Sequence, residues 1–191
     1  MPPRAKFTRE QIIAAALEIT RQEGFSYVTA RALGKKLGSS ACPIFTVFEN
    51  MEEVRQGVLA AARAVYRGYV ERGLQESIAF KGVGTQYIRF SVEEPKLFQL
   101  LFMREQENPK DFESVLPILE ESYEEILRSI TEGYGLEKTR ADWLYRHLWI
   151  YTHGIASLCA TKMCRFTGSE ISQMMTEVFI GLLKQEKGRM Q

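Results

Sequence analysis

An all-α fold is predicted by three observations on the 191-residue sequence. Apolar residues recur at three- and four-residue steps along almost its whole length, the period-two runs that mark strands are rare, and there are only six prolines and fourteen glycines. The composition is that of a globular chain, 45% hydrophobic and 26% charged. No apolar run reaches the roughly 18 residues of a membrane span. The opening Met1-Pro2-Pro3-Arg4-Ala5-Lys6 lacks the apolar core of a secretory signal. The expected location is therefore cytoplasmic, with no membrane partner.

A first helix is predicted from Thr8, an N-cap with Gln11 three residues on, through Ile12, Ile13, Ala16 and Leu17 to the stop at Gly24. Phe25 and Val28 should fold back onto its apolar side. Thr29 caps a second, short helix with Leu33 and Leu37 four residues apart, stopped by Gly38. Ser39 or Ser40 opens a third; Ser40 is the better cap because it leaves Pro43 in the first turn, where a missing N–H costs nothing. Ile44, Phe45 and Phe48 should supply its buried side and leave Ala41, Cys42 and Thr46 facing outward. From about Asn50 a long helix shows Val54, Val58, Ala61, Val65 and Tyr69, ending near Gly73.

Further helices are predicted near 76–93, 95–105, 112–132, 138–164 and 169–187, punctuated by Pro95, Pro109, Gly133-Tyr134-Gly135 and Gly168. Pro117 lies inside one of them, a place to kink or restart it. The last two helices carry the stripes Leu144, Leu148, Tyr151, Ile155, Leu158 and Ile171, Met175, Val178, Leu182. The first of this pair is also apolar on its flanks (Trp143, Trp149, Ile150, Ala156, Cys159), so it needs cover on several sides, from its own domain or a second subunit.

The net charge of +1 is unevenly spread: residues 1–50 hold seven Lys or Arg against four Glu, a local +3, and the remainder sums to −2. That modest basic bias suits a small DNA-contacting module. Residues 29–48 read as helix, glycine-containing turn, helix, directly after an amphipathic helix. This is the pattern of a helix-turn-helix whose second short helix enters the major groove; an ordinary αα-hairpin in a bundle is the plainer alternative.

Residues 8–54 resemble the DNA-binding region of TetR-family transcriptional regulators. The likeness rests on Ile12, Ala16, Leu17, Glu23-Gly24-Phe25, Val28-Thr29, Leu33, Leu37-Gly38, Ser40, Ile44-Phe45, Phe48 and Glu52-Glu53-Val54, in the family's order and spacing. It implies a three-helix helix-turn-helix domain over residues 1–50 and a larger helical ligand-binding and dimerisation domain over 51–191. Two departures matter. Phe45 stands where many members have Tyr, and Met51 where many have Lys; neither can donate to a phosphate. Phosphate contact then falls to the Thr29 hydroxyl, helix-end amides, and Arg4, Lys6, Arg31, Lys35 and Lys36. Base reading falls to Ser40, Ala41, Cys42 and Thr46 with Arg31 as the one long donor nearby, so specificity is expected to draw partly on DNA shape; Phe45 is counted with them only as part of the DNA-binding surface.

A module of about fifty residues should not stand alone but pack on the long helix that follows. The resemblance implies that an effector in the C-terminal domain displaces that helix and changes the separation of two DNA-reading heads in a homodimer. Half-sites one turn apart need those heads roughly 34 Å apart. A coupling of about 1–3 kcal/mol changes affinity some 5–150-fold. The implied partners are a double-stranded DNA operator, a small-molecule effector and a second copy of the chain; the implied mode is repression relieved by the effector, with no cofactor. Candidate effector-binding residues are Tyr87, Phe90, Phe98, Phe102, Tyr123, Trp149, His153 and Met163, each of which could equally be plain core. The candidate dimer surface is Tyr151, Ile155, Leu158, Ile171, Met175, Val178 and Leu182.

Other classes fare worse. His147 and His153 are six residues apart and face different sides of a helix, and no HExxH, Walker or GxSxG pattern occurs, so catalysis is not predicted. Glu120-Glu121 and Glu124-Glu125 have the i, i+4 spacing of carboxylate metal sites, but without a histidine they read as a solvated acidic face. The three cysteines lack zinc-site spacing and read as reduced thiols; Cys159 and Cys164 leave a redox-responsive regulator as an alternative. The other alternative is a helical adaptor without DNA affinity.

Overall fold

The computed structural model describes residues 6–105 and 108–188. Among them are nine α-helices, two short 3₁₀ helices and no strand. No helix of the described residues is long and apolar enough to cross a membrane. The chain divides into two compact units, Met1–Tyr66 with Glu94–Glu105, and Arg67–Glu93 with Gln106–Gln191.

The first unit opens with α1 (Arg9–Gln22), set by the predicted capping box: the Thr8 side chain accepts from the Gln11 N–H, and the Gln11 side chain accepts from the Thr8 N–H. Ile12, Ala16 and Leu17 are its buried face, and buried Thr20 donates its hydroxyl to the Ala16 carbonyl at 2.9 Å. A 3₁₀ turn (Phe25–Tyr27) returns Val28 to the core with no exposed surface. Thr29 then caps α2 (Ala30–Lys36), its Oγ1 accepting the Ala32 N–H at 3.2 Å. Gly38 ends the turn in the left-handed region at φ 62°, open to glycine at little cost.

The third helix differs from expectation. It is a 3₁₀ helix (Cys42–Thr46), with Ala41 at the cap position and no side-chain cap bond, so Ser40 does not cap it. The i→i+3 bonds Ile44 N–H to Ala41 O and Val47 N–H to Ile44 O, both 3.1 Å, tighten the backbone around Pro43. Ile44 and Phe48 are buried as expected, but Phe45 is 46% exposed: three residues per turn eclipse it with exposed Cys42 on the outward side of the 3₁₀ helix.

α3 (Met51–Leu74) follows, and α5 (Pro95–Phe102) also belongs to the first unit, where it packs on α1. Arg21 at the end of α1 makes a bidentate pair with Glu94, which caps α5, at 2.8–3.1 Å. In the first unit's part of α3 the buried stripe is Val54, Val58, Ala62 and Tyr66 rather than one passing through Ala61 and Val65. A straight α-helix lags a strict seven-residue repeat by about 20° per heptad, which moves the seam one residue onward.

The second unit holds the rest of α3 with α4 (Ala79–Glu93), α6 (Phe112–Leu119), α7 (Tyr123–Tyr134), α8 (Lys138–Ala160) and α9 (Gly168–Gly188). α4 against α8 is its most extensive packing, flanked by α7 and α9. The segment predicted as one helix over 112–132 is two: Glu120 leaves the helical region (φ −110°, ψ 101°) three residues after Pro117, and α7 restarts at Tyr123. α8 stops at Ala160, short of 164. Lys162 turns left-handed at φ 59°, and Lys162 and Met163 donate back to the Cys159 and Leu158 carbonyls, a C-terminal reversal that no glycine announces.

Candidate functional site

α2, the turn at Gly38 and the 3₁₀ helix Cys42–Thr46 form a tight corner. A Cβ on Gly34 would lie 2.9 Å from the Ser39 carbonyl oxygen, so the turn approaches α2 more closely than any larger residue permits. Buried Leu33, Ile44 and Phe48 hold the corner from within. Thr29, Arg31, Lys35, Lys36, Ser40, Cys42, Phe45 and Thr46 are exposed and Ala41 is half-buried, so the predicted DNA-facing residues share one element pair with solvent access. Arg4 lies outside the described residues.

Several polar groups near this surface already have partners. Lys6 Nζ donates to Ser39 Oγ at 3.3 Å, and the Thr46 hydroxyl donates to the Pro43 carbonyl at 2.7 Å. At the start of α3, Asn50 Oδ1 accepts the Glu53 N–H (2.9 Å), and Glu53 Oε2 accepts the Glu49 N–H (2.8 Å). Glu53 also pairs with Arg9 at 2.7 Å. The Glu49 amide and then Arg9 hold the Glu53 carboxyl below its usual value. These side chains occupy amide groups expected to serve as phosphate donors. One exposed donor escaped the sequence reading: Tyr27, 56% exposed in the turn before Thr29. Its only signal is a large aromatic residue that falls on no helix face.

The candidate effector residues separate. Phe98 and Phe102 belong to the first unit, ring to ring at 5.2 Å, with Tyr66 edge-on to Phe102 at 5.1 Å. Met163 is 74% exposed in the turn after α8, because the helix ends before reaching it. The other five lie in the second unit. Tyr87 on α4 shares a 2.9 Å hydrogen bond with His153 Nδ1 on α8, and Trp149 stacks on His153 at 4.8 Å and 17°. Phe90 packs on Tyr69 at 5.2 Å. Tyr123 on α7 meets the Tyr145 ring at 5.7 Å and donates its hydroxyl to Asp142, which pairs with Arg146 at 2.7 Å.

Glu120, expected on a solvated acidic face, is instead buried; its Oε1 accepts the Ser122 N–H at 3.2 Å, while Glu121, Glu124 and Glu125 stay exposed. The irregular backbone between α6 and α7 turns it inward. Burial pushes the Tyr87 and Tyr145 phenols well up, and the Glu120 carboxylate adds to both. Burial also lowers His153. Gln86 Oε1 and Arg146 Nε are buried without a hydrogen-bond partner. This interior encloses several polar groups among its aromatic rings. A separate solvent-open groove of about 450 Å³, lined by Arg67, Glu71, Leu74, Gln75, Glu121, Ser122 and Glu125, touches none of the candidates. Among the described residues no group of three or more His, Cys, Asp or Glu could hold a metal.

On the last two helices Tyr151, Leu158, Ile171, Met175, Val178 and Leu182 are half-buried, whereas Ile150 (51%) and Ile180 (44%) are exposed. Ile155 is only 4% exposed: it faces its own unit's core, which removes it from a surface another subunit could reach. Burial and then neighbouring Cys164 push the Cys159 thiol up, which lowers its thiolate fraction and works against redox reactivity.

A family profile described as "Tetracyclin repressor-like, C-terminal domain" matches residues 80–179. Among solved structures, the fatty acid degradation regulator FadR from Bacillus halodurans matches with a TM-score of 0.58 at 15% identity, over 95% of this chain and 97% of that one. At that identity the likeness speaks for the fold. No curated protein sequence matches the chain.

Proposed function

Because the chain belongs to the tetracycline-repressor-like (TetR) family of transcriptional regulators, we propose that it is a sequence-specific DNA-binding repressor, released from its operator by a small molecule bound in the helical C-terminal part. The observation that carries the reading is the corner formed by α2 and Cys42–Thr46. It is rigid from within through Leu33, Ile44 and Phe48, and outside it carries Arg31, Lys35 and Lys36 beside Ser40, Cys42, Phe45 and Thr46. In this reading residues 1–50 dock on DNA and residues 51–191 bind the effector and a second copy of the chain. Lys35 and Lys36 contact phosphate, with Tyr27 and Thr29 as hydroxyl partners, and Arg31 and the side chains of the 3₁₀ helix face base edges.

The effector would lie among Tyr87, Phe90, Tyr123, Trp149 and His153. Tyr87 and His153 provide one hydrogen-bonding pair there, and the buried, unpartnered Gln86 and Arg146 atoms add polar capacity to the same unit. The homodimer would form on α8 and α9 through Tyr151, Leu158, Ile171, Met175, Val178 and Leu182, with exposed Ile150 and Ile180 extending the apolar surface.

The test is a gel shift on the DNA upstream of the protein's own gene at two salt concentrations. A preferred sequence whose affinity falls steeply with salt supports a regulator. Binding without sequence preference, or none at low salt, overturns it in favour of an adaptor. Arg31→Ala should cost about 1–3 kcal/mol at one operator position and relax the preference there; an equal loss on all sequences would make Arg31 a phosphate clamp.

A further inference from the structure

Apart from the exposed Ser40 hydroxyl and Arg31 on α2, the side chains that the helix-turn-helix offers to a base edge are poor in hydrogen-bond donors. Ala41 has none, and the Cys42 thiol is a weak one. Phe45 presents an aromatic ring, 46% exposed, with no polar atom. The Thr46 hydroxyl is exposed, yet its proton is committed to the Pro43 carbonyl at 2.7 Å, which leaves its methyl group and a lone pair for any partner.

Such a surface is a mismatch for guanine. The major-groove edge of guanine shows two acceptors, and covering them with an apolar ring would strip their water without replacing its hydrogen bonds. The apolar group on a major-groove edge is the C5 methyl of thymine, for which Ala, the Thr methyl and Phe are the fitting contacts. Lys35 and Lys36, exposed on the adjoining α2, supply the positive charge that holds the duplex against this patch.

We propose that the chain recognises thymine methyl groups: its operator half-site places thymines against Phe45 and its neighbours Cys42 and Thr46, and base discrimination rests on methyl contact more than on hydrogen bonds to guanine. This rests on the DNA-binding reading above and names the base chemistry of the same surface.

The experiment selects the preferred duplex from a random pool with the full-length protein, then replaces half-site thymines one at a time by deoxyuridine and measures affinity by fluorescence anisotropy. Deoxyuridine keeps every hydrogen-bonding group and lacks only the methyl. Each contacted thymine should then weaken binding roughly threefold to fivefold, the worth of one buried methyl. Deoxyuridine in the flanks should change nothing. Phe45→Ala removes an exposed side chain and should leave the thermal melt unchanged while abolishing the deoxyuridine penalty at one position. Equal affinity for thymine and deoxyuridine duplexes, or a selected half-site without thymine, overturns the proposal and leaves the regulator reading standing. A pool that yields no preferred sequence removes both.

Discussion

In the first unit the large side chains withdrawn from solvent include Ile12, Val28, Leu33, Ile44, Phe48 and Phe98, and Thr20 is its one buried polar residue among those described, satisfied within α1. In the second unit Gln86, Ser91, Glu120, Ser122, Thr152 and Glu186 are all buried, beside a Tyr87–His153 hydrogen bond. Both units are helical, yet one keeps its polarity on the surface and the other encloses it. A dry core fixes a corner in one geometry, as an element that must present side chains to another molecule requires. An interior with enclosed polar groups is costly unless those groups are partnered, and it supplies hydrogen-bonding capacity that a bound molecule could use.

Four measurements break or sharpen that contrast. Phe48→Ala should have the largest effect: it empties a ring-sized space in the dry core and should cost about 3–5 kcal/mol in denaturant unfolding. A loss below about 1 kcal/mol would show that the corner is not rigidly packed. Glu120→Ala in the polar interior leaves the buried Ser122 N–H without its acceptor and should cost about 1–3 kcal/mol by the same method. Gln86→Met removes an Oε1 that has no partner together with the 3.2 Å bond that Nε2 donates to exposed Glu76, which water can replace, and should change stability by no more than about 1 kcal/mol. A large loss would mean that Gln86 supports the interior in some other way.

The smallest effect concerns pH. Burial lowers the folded-state pKa of His153 relative to the unfolded chain, so the unfolded state binds the proton more readily. Its contribution to stability is fully present above the unfolded value near 6.5 and declines as pH falls toward the folded one. The fall in melting temperature between about pH 7.5 and pH 5.5 should therefore shrink in His153→Gln, which keeps a hydrogen-bonding group for Tyr87. An unchanged fall would place the titrating group elsewhere.

Much of the fold is legible in the residue order. Thr8 with Gln11, Thr29 and Gly38 are local signals whose capping bonds and left-handed turn involve residues a few positions apart, and each forms where the residue types place it. The misses have a common cause, since each depends on neighbours distant in sequence or on backbone geometry that no residue type marks. Apolar spacing at the α-helical period puts Phe45 in the core, whereas the segment winds with three residues per turn. Met163 leaves the helix because Lys162 reverses the chain without a glycine. Nothing in a run of glutamates shows that the backbone between α6 and α7 turns Glu120 inward.

The amino-acid order alone determined the all-helical class, most helix starts and stops, and the outward-facing Arg31, Lys35, Lys36, Cys42 and Thr46 of the helix-turn-helix, since capping and periodicity act within one or two turns. The tertiary structure alone decided that residues 94–105 join the first unit, that Ile155 faces inward, and that Glu120 and Tyr87 are buried, Tyr87 sharing a hydrogen bond with half-buried His153. Burial is set by which helices meet across many intervening residues. A side chain's spacing along its own helix gives the face it lies on, but not what, if anything, covers that face.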